Sequence, residues 1–241
     1  AAASLILVRD GAHGPEVLLV KRGEAGDFPG LHVFPGGLVD TDDSDPRLLA
    51  ASRRSVDSAR ELLGHDDAPA SFVAAVRESL EEVGVLLGAA SADVAALQEL
   101  LANRRQRFAD LVPASVQELA TDALGYFSHW ITPTGIPRRY DTRFFVARLP
   151  EGQAVRVDGR EAVAADWLTA RQALAANERG EIRLIFPTIR NLEALAAFDT
   201  VEALLAHAQA PRTVAAIQPK MVNGPGGIRL LVPGDAGYEE A

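Results

Sequence analysis

Glu78, Glu81 and Glu82 fall within the stretch Arg-Glu-Ser-Leu-Glu-Glu-Val-Gly-Val, residues 77–85. On a helical projection at 100° per residue, with Phe72 at zero, the three carboxylates lie between about 180° and 280°. Val73, Val76, Leu80 and Val83 lie between about 20° and 100°, a single apolar stripe, and Ala74 leaves room beside the acids. Like charges four residues apart cost an isolated helix about 0.2–0.5 kcal/mol, so local stability does not account for Glu78 and Glu82. Two readings stand. The acids form a solvated face, or they gather around a hard divalent cation such as Mg²⁺, which takes oxygen ligands.

Other residues could serve the same chemistry. Upstream, Phe-Pro-Gly-Gly-Leu-Val-Asp-Thr-Asp-Asp (34–43) holds Gly36 and Gly37, where backbone can approach closely, followed by three aspartates. Lys21 and Arg22 end an apolar run, as phosphate contacts or as protection of a strand edge. Arg138, Arg139, Tyr140 and Arg143 crowd into six positions, where the arginines could hold phosphates and the tyrosine could stack on a base. A solvated hairpin turn is the competing account of that cluster. His32 could touch substrate or be structural, and no histidine pair has the spacing of zinc ligands. The marks of a Gly-x-Ser-x-Gly hydrolase, a Gly-x-x-x-x-Gly-Lys phosphate loop and a Gly-x-Gly-x-x-Gly dinucleotide fold are all absent from the sequence.

Composition narrows the partners. The 241 residues are 48% hydrophobic and 24% charged, with a net charge of −9 and a pI near 5.1. Such a balance suits a folded globular chain and argues against nucleic acid as a main partner. No cysteine occurs, which removes disulfides, thiolate metal sites and a cysteine nucleophile together. The opening Ala-Ala-Ala-Ser-Leu-Ile-Leu-Val breaks at Arg9 and reads as a strand, and no apolar run reaches the ~18 residues of a membrane span. The expectation is a soluble, cytoplasmic protein with neither a membrane nor a nucleic-acid partner.

Stepping along the chain, apolar runs at 4–8 and 17–20 flank a turn-rich segment and predict a hairpin. Residues 23–40 read as an irregular loop around a short strand. Residues 44–70 turn helical, with Asp45-Pro46 as a start, a periodic Ser55–Leu63 segment and Gly64 as a stop. The glutamate helix is expected to start after Ser71 and stop at Gly84. Residues 93–108 and 115–124 read as two further helices. Strands are expected at 126–132, 142–149 and 162–168, then helices at 170–178 (capped by Thr169), 188–197 and 201–208. The tail 213–241 holds short apolar runs among glycine and proline. Intermixed strands and helices predict a mixed sheet flanked by helices.

At Gly37 and at Arg77, Glu78, Glu81, Glu82, Gly84 and Val85 the chain resembles the Nudix hydrolases. Their box is a Gly, five residues, Glu, seven residues, then Arg-Glu-aliphatic-x-Glu-Glu-x-Gly-aliphatic. Here Asp43 stands where the first glutamate belongs and Ser79 where an aliphatic residue is usual. The gap from Asp43 to Arg77 is far longer than seven residues, so 44–70 reads as an insertion inside the box. This split looks like the branch that includes coenzyme A diphosphatases with an interrupted box. The resemblance extends from the hairpin to about residue 175, with the helical segment 91–124 outside the common core.

The resemblance implies an α/β fold, a Nudix-type α/β/α sandwich with a central mixed sheet and extra helical insertions, in a single domain over 1–241. It implies hydrolysis of a nucleoside diphosphate linked to another group, NDP-X, with Mg²⁺ or Mn²⁺ as cofactor. Glu78, Glu81 and Glu82 would be the metal ligands, with Glu78 also a candidate base. Arg77 would orient a glutamate, and Gly37 would supply a tight bend. Glu161, six residues before Trp167, would be a further ligand or base, an exposed loop glutamate being the alternative. Coenzyme A or its thioesters would give 3′,5′-ADP and a 4′-phosphopantetheine. ADP-ribose, NADH or a dinucleoside polyphosphate are the rival substrates, and a nucleotide-binding module without catalysis is the rival class. The insertion and the 91–124 helices would shape the pocket or form a homodimer contact.

Overall fold

Leu5, Leu7, Leu18 and Val20 alternate along the chain with Ile6, Val8, Val17 and Leu19, and both sets are buried. Strands buried on both faces must lie inside a layered structure. The computed structural model, which describes residues 1–24, 28–90, 93–103, 105–224 and 227–240, shows such layers. The first set packs into one apolar cluster on one face of the sheet and the second into another cluster on the opposite face.

Strands β1 (Ala2–Gly11) and β2 (Gly14–Arg22) form the expected hairpin, longer than its apolar runs. β3 (His32–Val33) and β4 (Gly36–Leu38) follow, then helices α1 (Pro46–Ala51), α2 (Val56–Leu63) and α3 (Ala68–Val83). Next come β5 (Gly88–Ala90), α4 (Val94–Ala102), α5 (Phe108–Ser115), β6 (Val116–Leu119), β7 (Gly125–Ile131), β8 (Asp141–Arg148) and β9 (Ala162–Thr169). The chain then runs through α6 (Ala170–Glu178), α7 (Phe186–Leu195), α8 (Val201–Gln209), β10 (Ala216–Ile217), β11 (Lys220–Gly224) and β12 (Gly227–Leu231).

One mixed sheet has the order β10-β7-β8-β1-β2-β3, with β4 added to β1 and β9 to β2. β1 pairs in parallel with β8 from Ala2↔Thr142 to Val8↔Arg148, and antiparallel with β2 and β4. Helix α3 packs on one face, where Phe72 meets Phe145 with ring centroids 4.6 Å apart. Residues of α6, α7 and α8 pack on the other. This is the α/β/α sandwich with a central mixed sheet. Local signals hold where they were legible: Asp45 and Ser55 cap α1 and α2, Gly64 ends α2 in the left-handed region, and Thr169 with Gln172 makes a capping box on α6. Among the described residues no helix is long and apolar enough to cross a membrane.

Three expectations give way. Residues 115–124 are not a helix: β6 pairs antiparallel with β5, followed by a short 3₁₀ turn, because Val116 and Leu119 are buried and the partner strand Gly88–Ala90 carried no signal of its own. The single helix expected over 93–108 is two, α4 ending at Asn103, whose side chain donates to the Glu99 carbonyl, and α5 beginning after Arg107. Helix α3 starts at Ala68, with Pro69 in its first turn, so Ser71 is a buried interior residue and not the cap.

Gly88 marks the tightest strand contact. A Cβ there would stand 2.2 Å from the Glu118 carbonyl oxygen, on a backbone at φ +158°. Backbone cannot yield as a side-chain tip can, so Gly88→Ala is expected to lower unfolding stability by about 1–3 kcal/mol. Urea denaturation of the variant would read this as a lower midpoint with an unchanged slope.

Candidate active site

Helix α3 is buried nearly all round. Glu78 is 9% exposed and Glu82 only 1%, which removes the reading of a solvated acidic face. The apolar stripe anchors the helix on the sheet, and Gly84, at φ 65°, ends it. The carboxylates of Glu78 and Glu82 therefore point inward, against three segments from elsewhere in the chain.

The Gly36–Gly37 segment is the first wall. The Gly36 amide donates to Glu82 Oε2 at 3.0 Å. A Cβ on Gly37 would stand 2.5 Å from Glu78 Oε1, so this position has space for a carboxylate only because it lacks a side chain. The 40–44 turn is the second wall. Asp43, fully buried, accepts from Arg77 Nε at 2.8 Å and Nη2 at 3.0 Å. Arg77 also donates to Glu78 at 2.8 Å, to Glu81 at 3.4 Å and to the Leu38 carbonyl at 3.0 Å.

The 156–162 loop is the third wall, and backbone bonds lace it to the end of α3. Arg156 N donates to the Val83 carbonyl at 2.9 Å and Asp158 N to the Glu82 carbonyl at 3.0 Å. Gln98 bridges the Glu81 and Arg156 carbonyls at 3.3 and 2.7 Å. The Asp158 carboxylate accepts from the amides of Glu161 and Ala162 at 3.1 and 2.8 Å, closing a tight turn. Gly23 N donates to the Glu161 carbonyl at 3.0 Å. Glu161 is thus brought beside Arg22, which donates to Glu82 at 2.9 Å and to Glu161 at 3.5 Å.

Burial, followed by the charge of Glu78, pushes the Glu82 carboxyl well above the usual range, although Arg22 and the Gly36 amide oppose this. Burial pushes Glu78 up to about 7, against the pull of Arg77. The Arg77 guanidinium is held above its ordinary value: burial alone would lower it, but Asp43, Glu78 and Glu81 outweigh burial. Five carboxylates (Asp43, Glu78, Glu81, Glu82, Glu161) face two guanidiniums (Arg22, Arg77). Among the described residues no three acidic or histidine side chains are gathered closely enough to ligate one ion, because each carboxylate is turned onto an arginine or an amide. The donor chemistry nonetheless fits a hard divalent cation: oxygen ligands, an excess of buried negative charge, and a glycine cradle that leaves Glu78 its space.

The remaining expected residues lie apart from this cluster. Arg138 and Arg139 are exposed on the β7–β8 loop, where Arg139 donates to the Thr132 carbonyl at 3.3 Å and Arg138 stands 5.6 Å from the Tyr140 ring. Arg143 is buried in β8, not in the turn, and donates to Asp141 at 3.2 Å beside His129. His32 is buried, its amide donating to the Arg183 carbonyl at 2.8 Å, and burial lowers its pKa although Asp166 opposes. Lys21 is exposed, opposite His32 on the short β2–β3 ladder.

Three features escaped the sequence reading. Asp158 and Gln98, which fix the Glu161 loop, are ordinary polar residues whose roles exist only once α3, α4 and the loop meet. Phe28 is the third. It is 43% exposed, adopts φ +58°, and lies 6.1 Å from Tyr140. A bulky side chain in the left-handed region is uncommon and costs of order 1–3 kcal/mol. The loop that carries Phe28 closes on Arg22, whose amide donates to the Leu31 carbonyl at 2.8 Å.

Comparison with known proteins agrees with this fold. Residues 51–195 match the model of the NUDT19 Nudix domain, more than half of the chain, and the protein belongs to that family. A curated Caenorhabditis elegans protein named "Putative nudix hydrolase 7" is 26% identical over 198 residues, covering 80% of this chain and 59% of that protein. The chain therefore spans less than two thirds of the relative's length. The crystal structure of a NUDIX hydrolase from Alicyclobacillus acidocaldarius superposes with a TM-score of 0.66 at 29% identity, over 89% of this chain and 96% of that one.

The cradle at Gly37 gives a direct test. In Gly37→Ala the clash falls on the tip of the Glu78 side chain, which can swing away at little cost to folding. The expected result is a melting temperature near wild type with turnover reduced on the order of 100-fold, as for a catalytic group displaced by about 1 Å.

Proposed function

We propose that this chain hydrolyses the diphosphate linkage of an NDP-X substrate with the help of Mg²⁺ or Mn²⁺. The observation that carries the reading is the buried carboxylate cluster, in excess over its arginines, on a helix of the NUDT19 Nudix domain family. Glu78, Glu81 and Glu82 of α3, with Glu161 of the loop before β9, would hold the ion. When bound, such an ion neutralises charge on the diphosphate and makes water a better nucleophile.

The chain's own residues do the rest. Arg77 is a positioning residue: it reaches across from Asp43 to Glu78 and sets the direction of that carboxylate. Glu78 and Glu161 are the candidate bases for the attacking water. The Gly36 amide fixes one oxygen of Glu82 and leaves the other to face Arg22. Burial excludes bulk water from Glu82 and strengthens each of these contacts.

On the substrate side, we assign the exposed Phe28 and the half-buried Tyr140 to a stacking surface and Arg138 and Arg139 to phosphate contacts. Coenzyme A or an acyl-coenzyme A is the favoured substrate, on the split form of the box, and would yield 3′,5′-ADP. Its 3′-phosphate is the group that ADP-ribose lacks, and a basic loop beside an aromatic pair suits it.

Three measurements test this reading. With Mg²⁺ and a panel of coenzyme A, acetyl-coenzyme A, ADP-ribose, NADH and dinucleoside polyphosphates, chromatography should show 3′,5′-ADP released from the coenzyme A species first. Preferential cleavage of ADP-ribose or NADH would displace the substrate assignment and keep the chemistry. Glu82→Gln should lower kcat by more than the roughly 10–100-fold that outer-shell changes produce, and unchanged metal-dependent turnover would refute the site. Arg138→Ala and Arg139→Ala should lose more kcat/KM on coenzyme A than on ADP-ribose, by about tenfold for a lost charge-assisted bond. Equal losses on both would remove the 3′-phosphate assignment.

A further inference from the structure

Arg22 ends β2 where the pairing with β9 slips: Lys21 faces Ala164, but Arg22 faces Ala162. Such a bulge re-aims the side chain beside it, here towards α3. The guanidinium meets Glu82 at 2.9 Å and Glu161 at 3.5 Å. The hydrogen bonds of Arg77 go elsewhere, to Asp43, Glu78, Glu81 and the Leu38 carbonyl. One guanidinium therefore sits between two carboxylates that come from different elements.

The grip is incomplete. Arg22 Nε is buried with no hydrogen-bond partner, and the contact to Glu161 is at the long limit of a hydrogen bond. Glu161 is itself half exposed, so solvent screens that contact. An arginine there to stay would use its fork in two parallel bonds to one carboxylate, as Arg77 does on Asp43. Arg22 spreads its contacts over two partners and leaves its third nitrogen unsatisfied.

We propose that Arg22 is a resident counter-cation that holds Glu82 and Glu161 together in the ion-free protein and is exchanged for the divalent ion when that ion enters. The inference rests on the diphosphatase reading and on the two contacts of Arg22 to carboxylates from different elements. Ion and arginine then compete for the same oxygens, so removing the guanidinium should strengthen ion binding while weakening the ion-free fold. An arginine that merely held Glu82 in position for the ion would have the opposite effect.

The test is titration calorimetry of Mg²⁺ into the full chain without substrate, alongside thermal unfolding with and without Mg²⁺. Arg22→Met should bind Mg²⁺ roughly tenfold tighter than wild type, one decade of affinity. Its melting temperature should fall below wild type without the ion, with the gap closing at saturating Mg²⁺. Arg22→Lys keeps a cation and should stay near the wild-type affinity. If the methionine variant does not fold, Arg22→Gln, uncharged but able to donate to Glu82, carries the same expectation. Unchanged or weaker Mg²⁺ binding in the uncharged variant would overturn the exchange while leaving the diphosphatase reading intact. Equal Mg²⁺ binding by wild type and Glu82→Gln would overturn that reading, and the exchange with it.

Discussion

Two carboxylates one helical turn apart, both turned inward, are the constraint around which this molecule is arranged. Glu78 and Glu82 cannot be stable in an apolar interior unless charge and hydrogen bonds are brought to them. The fold brings them from distant parts of the chain: Arg22 from the end of β2, the Gly36 amide from the strand beside β1, and Arg77 with Asp43 from across the insertion. Each contact needs a particular element to stop at a particular residue. The balance still falls short of neutrality, and the shortfall gives the site its appetite for positive charge.

The scaffold isolates this cluster from the chain's irregularities. Asp43 and Arg77 are 34 positions apart yet meet at 2.8 Å, and α1 and α2 fill the intervening sequence by packing on α3 and α5. Insertions in a loop are tolerated when both ends return to the same place, because closing a longer loop costs only a little more entropy. Here the return is enforced twice, by the salt bridge and by the capping box of the turn at Asp40–Asp43. The insertion therefore leaves Asp43 and Arg77 in contact. Helix α4 contributes from the other side through Gln98, which ties the helix end to the loop of Glu161.

The sequence disclosed the parts of this design that depend on local chemistry. Periodicity gave the glutamate helix and its apolar side, glycine gave its end, and Thr169 announced the start of α6. It disclosed less where an element exists only because of a partner. β6 carries a helical pattern and becomes a strand because Gly88–Ala90 lies beside it. Ser71 has the type of a cap but sits in a helix that Pro69 starts earlier. Charge patterns deceive in the same way. Arg143 looks like a companion of Arg138 and Arg139 in the sequence, yet strand pairing buries it against Asp141. Glu161 was legible through the resemblance alone, its own local sequence reading equally as a loop acid, and the bonds of Asp158 that hold its turn join residues that no periodicity links.

The sheet's connectivity carries a consequence for the order in which these parts come together. β1 has its parallel partner some 140 residues further along, and β2 is joined by β9 at a similar separation. Helix α3 leaves the ribosome well before either partner, with its acids already made and Arg22, Arg77 and the Gly36 amide at hand to quiet them. Contacts this distant in sequence form late and slowly. The nascent chain must therefore shelter an acidic, half-covered helix until β8 and β9 arrive, and completion of the carboxylate cluster coincides with closure of the sheet itself.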